Sequence, residues 1–199
     1  MPPLTRANDL VRARNVSASE VGALLGKHPY STPLGIYNRL TNVVPEPERA
    51  PNEAMALGTF FEARIARYTA VKLGLRLRAN RDTLEHPEHS LCATPDYYVI
   101  GKRILVEVKL SSKLYVWTDE TLQPYIEWQA RAQMAVTNRD TVIISALVGS
   151  THYLVTVVRD MEKERRMLKA VDDFWHDHIL AEIPPDNEQT RLRFATVEG

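Results

Sequence analysis

Asp96, Glu107 and Lys109 are the residues of this chain whose types and spacing can hold a cation and move a proton. They lie in CATPDYYVIGKRILVEVKL (92–110), two apolar runs separated by Gly101-Lys102. Glycine opening a two-residue loop between such runs predicts a β-hairpin with a type II′ turn. That register sets Ile100 opposite Arg103 and Asp96 opposite Glu107. Opposed Cβ atoms lie roughly 5 Å apart. Side chains alternate along a strand, so Lys109 shares the face of Glu107 while Val108 points away. Two carboxylates opposed at that distance repel, and a hard divalent cation resolves the repulsion while keeping several waters. A neighbouring lysine can then hold or deprotonate a water on such an ion. On an arbitrary hairpin the same trio would be a solvated, salt-bridged surface. Here the acids interrupt otherwise apolar strands, and Pro95 before Asp96 argues for a bend or strand edge.

Elements around the hairpin must position these groups. EVGALLG (20–26) follows Ser17 and Ser19, so a serine is expected to cap a short helix that Gly26 closes. LGIYNRL after Ser31-Thr32-Pro33 reads as a second short helix, and NVVPEPERAPN (42–52), with its prolines, as a surface loop. A long helix is expected from about Asn52 to Lys72, with Gly74 as its stop. Three strand-like runs follow: LRLRAN, CATPDYYVI and RILVEVKL. Residues 122–137 read as a second long helix. TVIISALVG and HYLVTVVR then read as strands either side of Gly149-Ser150-Thr151, followed by a charged helix from about Asp160 to Ile179 and a polar tail. The order implies one α/β domain spanning 1–199, with its core at about 12–182, a tail at 183–199 and a central mixed β-sheet flanked by helices.

Composition narrows the function classes. The 199 residues carry 25 Lys+Arg and 25 Asp+Glu, so overall charge favours neither nucleic acid nor membrane. Charge is nevertheless uneven: residues 1–81 hold 12 basic and 6 acidic side chains, and 82–199 hold 13 and 19. A basic surface beside a carboxylate-rich one suits a metal-dependent enzyme acting on a polyanion. Cys92, the one cysteine, can form neither an intramolecular disulfide nor a thiolate metal site by itself. No apolar run reaches membrane-spanning length, and no apolar run follows the basic residues near the N-terminus as a secretory signal requires. A cytoplasmic protein without membrane association is the expectation.

Thr94-Pro95-Asp96, ten further residues, then Glu107-Val108-Lys109 resembles the signature of PD-(D/E)XK nucleases. The flanks extend the likeness. LGTFFEARIARYTAVKLG (57–74) resembles that superfamily's helix with a Gly-x-x-x-Glu pair. SASEVGALLGKHPYSTPLGIYN (17–38) and YIEWQARAQMAVTN (125–138) resemble segments of the YqaJ-type phage recombinase exonucleases, relatives of lambda exonuclease. The likeness covers roughly residues 12–150 in order. It implies a restriction-endonuclease-like α/β core with Asp96, Glu107 and the Val108 carbonyl as metal ligands, and with Glu62 at the edge of the metal site. It implies Lys109 as the residue that positions water, and Gln129 beside the scissile phosphate. Gly58 would leave room for close backbone approach. Ser19, Arg12 and Thr94 would hold a terminal 5′-phosphate, with Arg14 able to replace Arg12 after a modest register change. Gln133, at i+4 from Gln129, reads as an ordinary exposed helix residue.

The resemblance further implies Mg²⁺, replaceable by Mn²⁺, with two ions per site. Its implied reaction is 5′-to-3′ degradation of one strand of linear double-stranded DNA, exposing 3′ single strands for recombination. A single-strand annealing protein as partner, a ring-shaped homotrimer and a phage or prophage origin in a bacterial cell go with it. Tyr97, where many members have glycine after the motif Asp, and Arg131, where a second glutamine is expected, depart from the pattern. A sequence- or structure-specific endonuclease of the same fold, a catalytically silent DNA-end-binding module and RNA binding by the basic half are the competing readings. His28, His86 and His89 read as solvated loop histidines, and the pair in Trp175-His176-Asp177-His178 lies on different helix faces.

Overall fold

The computed structural model describes residues 6–41, 53–111 and 122–186. The expected loop at 42–52 and the tail beyond 186 lie outside them. In chain order the elements are α1 (Arg6–Arg12), β1 (Val16–Ser17), α2 (Val21–Leu24), α3 (Pro33–Thr41), α4 (Glu53–Leu73), β2 (Leu77–Ala79), β3 (Leu84–Glu85) and β4 (Leu91–Ala93). β5 (Tyr97–Val99), β6 (Ile104–Ser111), α5 (Pro124–Thr137), β7 (Thr141–Val148), β8 (Thr151–Val158) and α6 (Met161–Phe174) follow, ending in a π-helical turn Trp175–Leu180.

The long alternating runs make a five-stranded sheet in the order β2-β5-β6-β7-β8. Only β6 and β7 are parallel there, and α5 is the crossover between them. A second sheet, β1-β4-β3, has three short strands. The expected single strand CATPDYYVI is thus two strands in two sheets. Proline lacks an N–H for a ladder, and the chain leaves one sheet and enters the other across Thr94-Pro95-Asp96.

The hairpin register is the expected one: Tyr97 pairs with Val106 and Tyr98 with Leu105. Its turn is different. The Lys102 N–H donates to the Val99 carbonyl, and Gly101 has φ +76° at the third position, as a type II turn requires. The serine cap of α2 is also absent. Glu20 is the residue ahead of that helix, and it makes no side-chain capping bond.

Helix α5 joins the two sheets because it buries two apolar faces. Trp128, Ala132, Ala135 and Val136 pack with Val16, Val21, Leu91, Met167 and Phe174. Ile126, Ala130 and Met134 pack with Leu105, Val142, Ile144 and Val157 of the large sheet. The angular gap between these faces holds Gln129 and Gln133, one helical turn apart. The amides therefore fall where the two sheets meet.

Candidate functional site

Asp96 begins at that junction. Its Oδ2 accepts a hydrogen bond of 2.8 Å from the Val108 N–H, which fixes the carboxylate against β6. Burial, and then the charge of Glu107, hold its carboxyl well above the ordinary carboxylate range, against the opposing pull of the Val108 amide and Lys109. Glu107 is only 4% exposed, and side chains surround both of its oxygens. Oε1 accepts from Lys109 Nζ at 2.7 Å and Gln129 Nε2 at 2.8 Å, and Oε2 accepts from Gln133 Nε2 at 2.7 Å. Lys109 Nζ also donates to Gln129 Oε1 at 3.0 Å, closing a three-membered network. Burial disfavours charge on Lys109, but the charge and hydrogen bond of Glu107, with Asp96 behind them, outweigh it and raise its pKa.

Asp96, Glu107, Gln129 and Gln133 line one cavity of about 220 Å³ together with Arg12, Ser17, Ala18, Ser19 and Thr94. Arg12, Ser19 and Thr94, which come from separate segments, thus share a wall with the carboxylates. Arg39 secures that wall. Its guanidinium donates to both Glu20 oxygens (2.8 and 2.6 Å), to the Arg12 carbonyl at 2.6 Å and to the Asn15 carbonyl at 3.0 Å. Glu20 Oε2 in turn accepts from the Ser17 N–H at 2.9 Å. Thr94 Oγ1 lies 2.9 Å from Thr83 Oγ1. Arg14 is exposed and does not line the cavity.

Glu62 stands to one side. The Tyr97 hydroxyl is its hydrogen-bond partner, and burial first raises its pKa, with the charge of Glu107 adding to the rise. Burial and the nearby charge of Glu62 push Tyr97 itself up to about 12. Among the described residues no three His, Cys, Asp or Glu side chains gather closely enough to hold an ion together. A Cβ on Gly58 would meet nothing within 4 Å among them, so the described residues leave open space there.

Gln133 is the residue that sequence reasoning undervalued. It is 1% exposed, and its Oε1 is buried without a hydrogen-bond partner in the described structure. The available signal was its i+4 relation to Gln129 on a helix whose other positions are apolar on both flanks. Arg39 and Glu20 carried no such signal, since they meet only in three dimensions.

The donor set suits a hard cation. Two carboxylates line one cavity, and no histidine or cysteine lines it. Two protein carboxylates with water completing the sphere is the manner of Mg²⁺ rather than of a closed structural zinc site.

Residues 9–140 match the family model of the YqaJ-like viral recombinase domain. The uncharacterized protein YqaJ of Bacillus subtilis (strain 168) is 25% identical over 201 residues. That match takes in 94% of this chain, which spans only 63% of the relative's length. An alkaline exonuclease (LHK-Exo) from Laribacter hongkongensis has a similar structure, with a TM-score of 0.70 and 20% identity over 98% of this chain and 99% of that one. A phage-related exonuclease from Haemophilus somnus 129PT matches at a TM-score of 0.64 and 14% identity, covering 85% and 96% respectively. At these identities the likeness is one of fold: a central mixed sheet flanked by helices.

Proposed function

This chain belongs to the YqaJ-like viral recombinase domain family, and on that premise we propose that it is a divalent-metal-dependent exonuclease. It degrades one strand of linear double-stranded DNA from the 5′ end and leaves 3′ single strands for recombination. The observation that carries the reading is the shared cavity: Asp96, Glu107, Gln129 and Gln133 line it together with Arg12, Ser19 and Thr94, and Lys109 is hydrogen-bonded to Glu107. Further support comes from the fold shared with two exonucleases, one of them also solved in complex with dAMP.

Asp96 and Glu107 would hold the cation, with the Val108 carbonyl as a further ligand and Glu62 at the periphery. Mg²⁺ or Mn²⁺, one or two ions, would supply a lowered water pKa and stabilisation of charge at phosphorus and the leaving oxygen. The chain's own groups do the positioning. Glu107 stays in place because Gln129 and Gln133 grip one oxygen each. Lys109 Nζ, held between Glu107 and Gln129, orients the attacking water and keeps its proton while doing so. Gln129 Nε2 can turn from Glu107 to a phosphate oxygen as substrate enters. Arg12 and the Ser19 and Thr94 hydroxyls receive the terminal phosphate and so select the strand end. An annealing protein as partner and a homotrimeric ring around the DNA complete the reading.

End-labelled linear duplexes, with and without a 5′-phosphate, test it against covalently closed circles. Expected is Mg²⁺-dependent loss of label from linear DNA, faster with the phosphate, and intact circles. Ready cleavage of the circles, or no cleavage of linear DNA with Mg²⁺ or Mn²⁺, would overturn it.

A further inference from the structure

A second hollow, of about 510 Å³, lies at the tip of the β5–β6 hairpin and is lined by Arg78, Tyr98, Val99, Ile100, Gly101, Lys102, Arg103 and Arg139. Four cations from three separate segments converge there. Two of them meet one ring: the guanidinium carbons of Arg78 and Arg139 lie 5.1 and 5.3 Å from the Tyr98 ring centre. Arg139 is anchored through Nη1 to the Lys102 carbonyl at 3.3 Å, and its Nε is buried without an acceptor among the described residues.

The arrangement is built by the end of α5. Asn138 takes the left-handed conformation (φ 50°) as the C-cap. Its carbonyl and side-chain oxygen receive Arg103, and the side-chain oxygen also receives Arg159. Asp140 neutralises Arg103. Arg78 and Lys102 make no ion pair among the described residues. Asp82 is close enough for its charge to be felt at Tyr98. Like charges brought together in this way repel unless an anion lies between them. The hollow draws Arg78 from the basic segment 1–81 and Lys102, Arg103 and Arg139 from the acid-rich remainder of a chain that is neutral overall, so net charge does not account for it.

Position identifies the anion. Tyr98 lies in β5, two residues beyond Asp96, roughly 7 Å along an extended chain. A strand of DNA advances about 3.4 Å per nucleotide. We propose that this hollow is a backbone clamp, taking phosphodiester groups of duplex DNA about two nucleotides from the carboxylate site, with Arg78 and Lys102 as the phosphate-binding pair. It rests on the nuclease reading above and adds the surface along which the duplex lies. Arg103 and Arg139, tied into the C-cap and hairpin, frame the clamp.

The test uses the full chain with EDTA, so that binding is read without cleavage. Affinity for a 20-base-pair duplex is measured against salt for the parent, Arg78→Gln/Lys102→Gln, and Arg78→Lys as the charge-conserving control. Loss of two phosphate contacts reduces the salt slope by about 2 on logarithmic axes. The expected result is that change together with weakening on the order of tenfold at low salt, the control behaving as the parent, and cleavage of a dinucleotide with Mg²⁺ unaltered. An unchanged slope and affinity in the double variant overturns the clamp, as does a shift seen with duplex RNA and not with DNA. If the parent itself neither binds nor cuts linear DNA, the nuclease reading fails first, and the clamp fails with it.

Discussion

Lys109 and Gln133 both act on Glu107, yet their substitution should have different consequences. Lys109 is a quarter exposed, so removing its amine is expected to leave the fold intact and, under the proposed mechanism, to take away the group that orients water. Lys109→Ala is expected to lower the cleavage rate by about 10²–10⁴, with DNA binding retained. Single-turnover rates beside a binding isotherm check this. Gln133 is buried, and Gln133→Met deprives Glu107 Oε2 of its donor while removing an orphan acceptor of its own. The lost donor dominates because its acceptor is a buried carboxylate. Stability should fall by about 1–3 kcal/mol in urea unfolding. Asp96, Glu107 and Lys109 were legible as a group because strand alternation and hairpin register are local rules. The burial of Gln133 was not, since it depends on a second sheet that the sequence did not reveal.

Among the elements, α5 decides where everything sits. It packs so tightly on α2 that a Cβ on Gly22 would lie 3.1 Å from the Tyr125 Cα and 3.2 Å from its Cβ. Backbone cannot yield as a flexible side chain does, so Gly22→Ala is expected to cost about 1–3 kcal/mol, measured as a lower denaturation midpoint. The long helices, β6, β7 and β8 were readable from periodicity and from the glycines that end them. The two-residue strands β1 and β3 were not, because they are too short to show alternation, and α1 went unread as well. The type II turn at Gly101 escaped because a glycine with positive φ satisfies either turn geometry until the closing hydrogen bond is known.

For the molecule as a whole, stability should depend on pH through histidines held neutral. His152 is packed with Thr69 and Ser145, its Nε2 3.2 and 3.0 Å from their hydroxyls, and burial, then the charge of Lys72, lower its pKa. Burial and His89 lower that of His86. At these two side chains the unfolded chain therefore binds more protons than the folded one below the ordinary histidine pKa, while Asp96 and Glu62, whose values are raised, act in the opposite sense. The stability the histidines contribute is full above about pH 6.5 and declines as the pH falls through that value toward the depressed folded ones. They should therefore widen the difference by which the unfolding midpoint at pH 5.5 lies below that at pH 7.5. His152→Asn should shrink the difference, and an unaltered difference would remove His152 from the account.

The break at Thr94-Pro95-Asp96 has a consequence for product length. Thr94-Pro95-Asp96 spans from the end of β4 at Ala93 to the start of β5 at Tyr97, so under the proposed function three residues of backbone form a caliper between the group that would meet a strand's end and the group at the cutting site. A rigid caliper turns digestion into counting, each bite as long as the last. Inserting one residue there would open its jaws and alter the size of the fragment released.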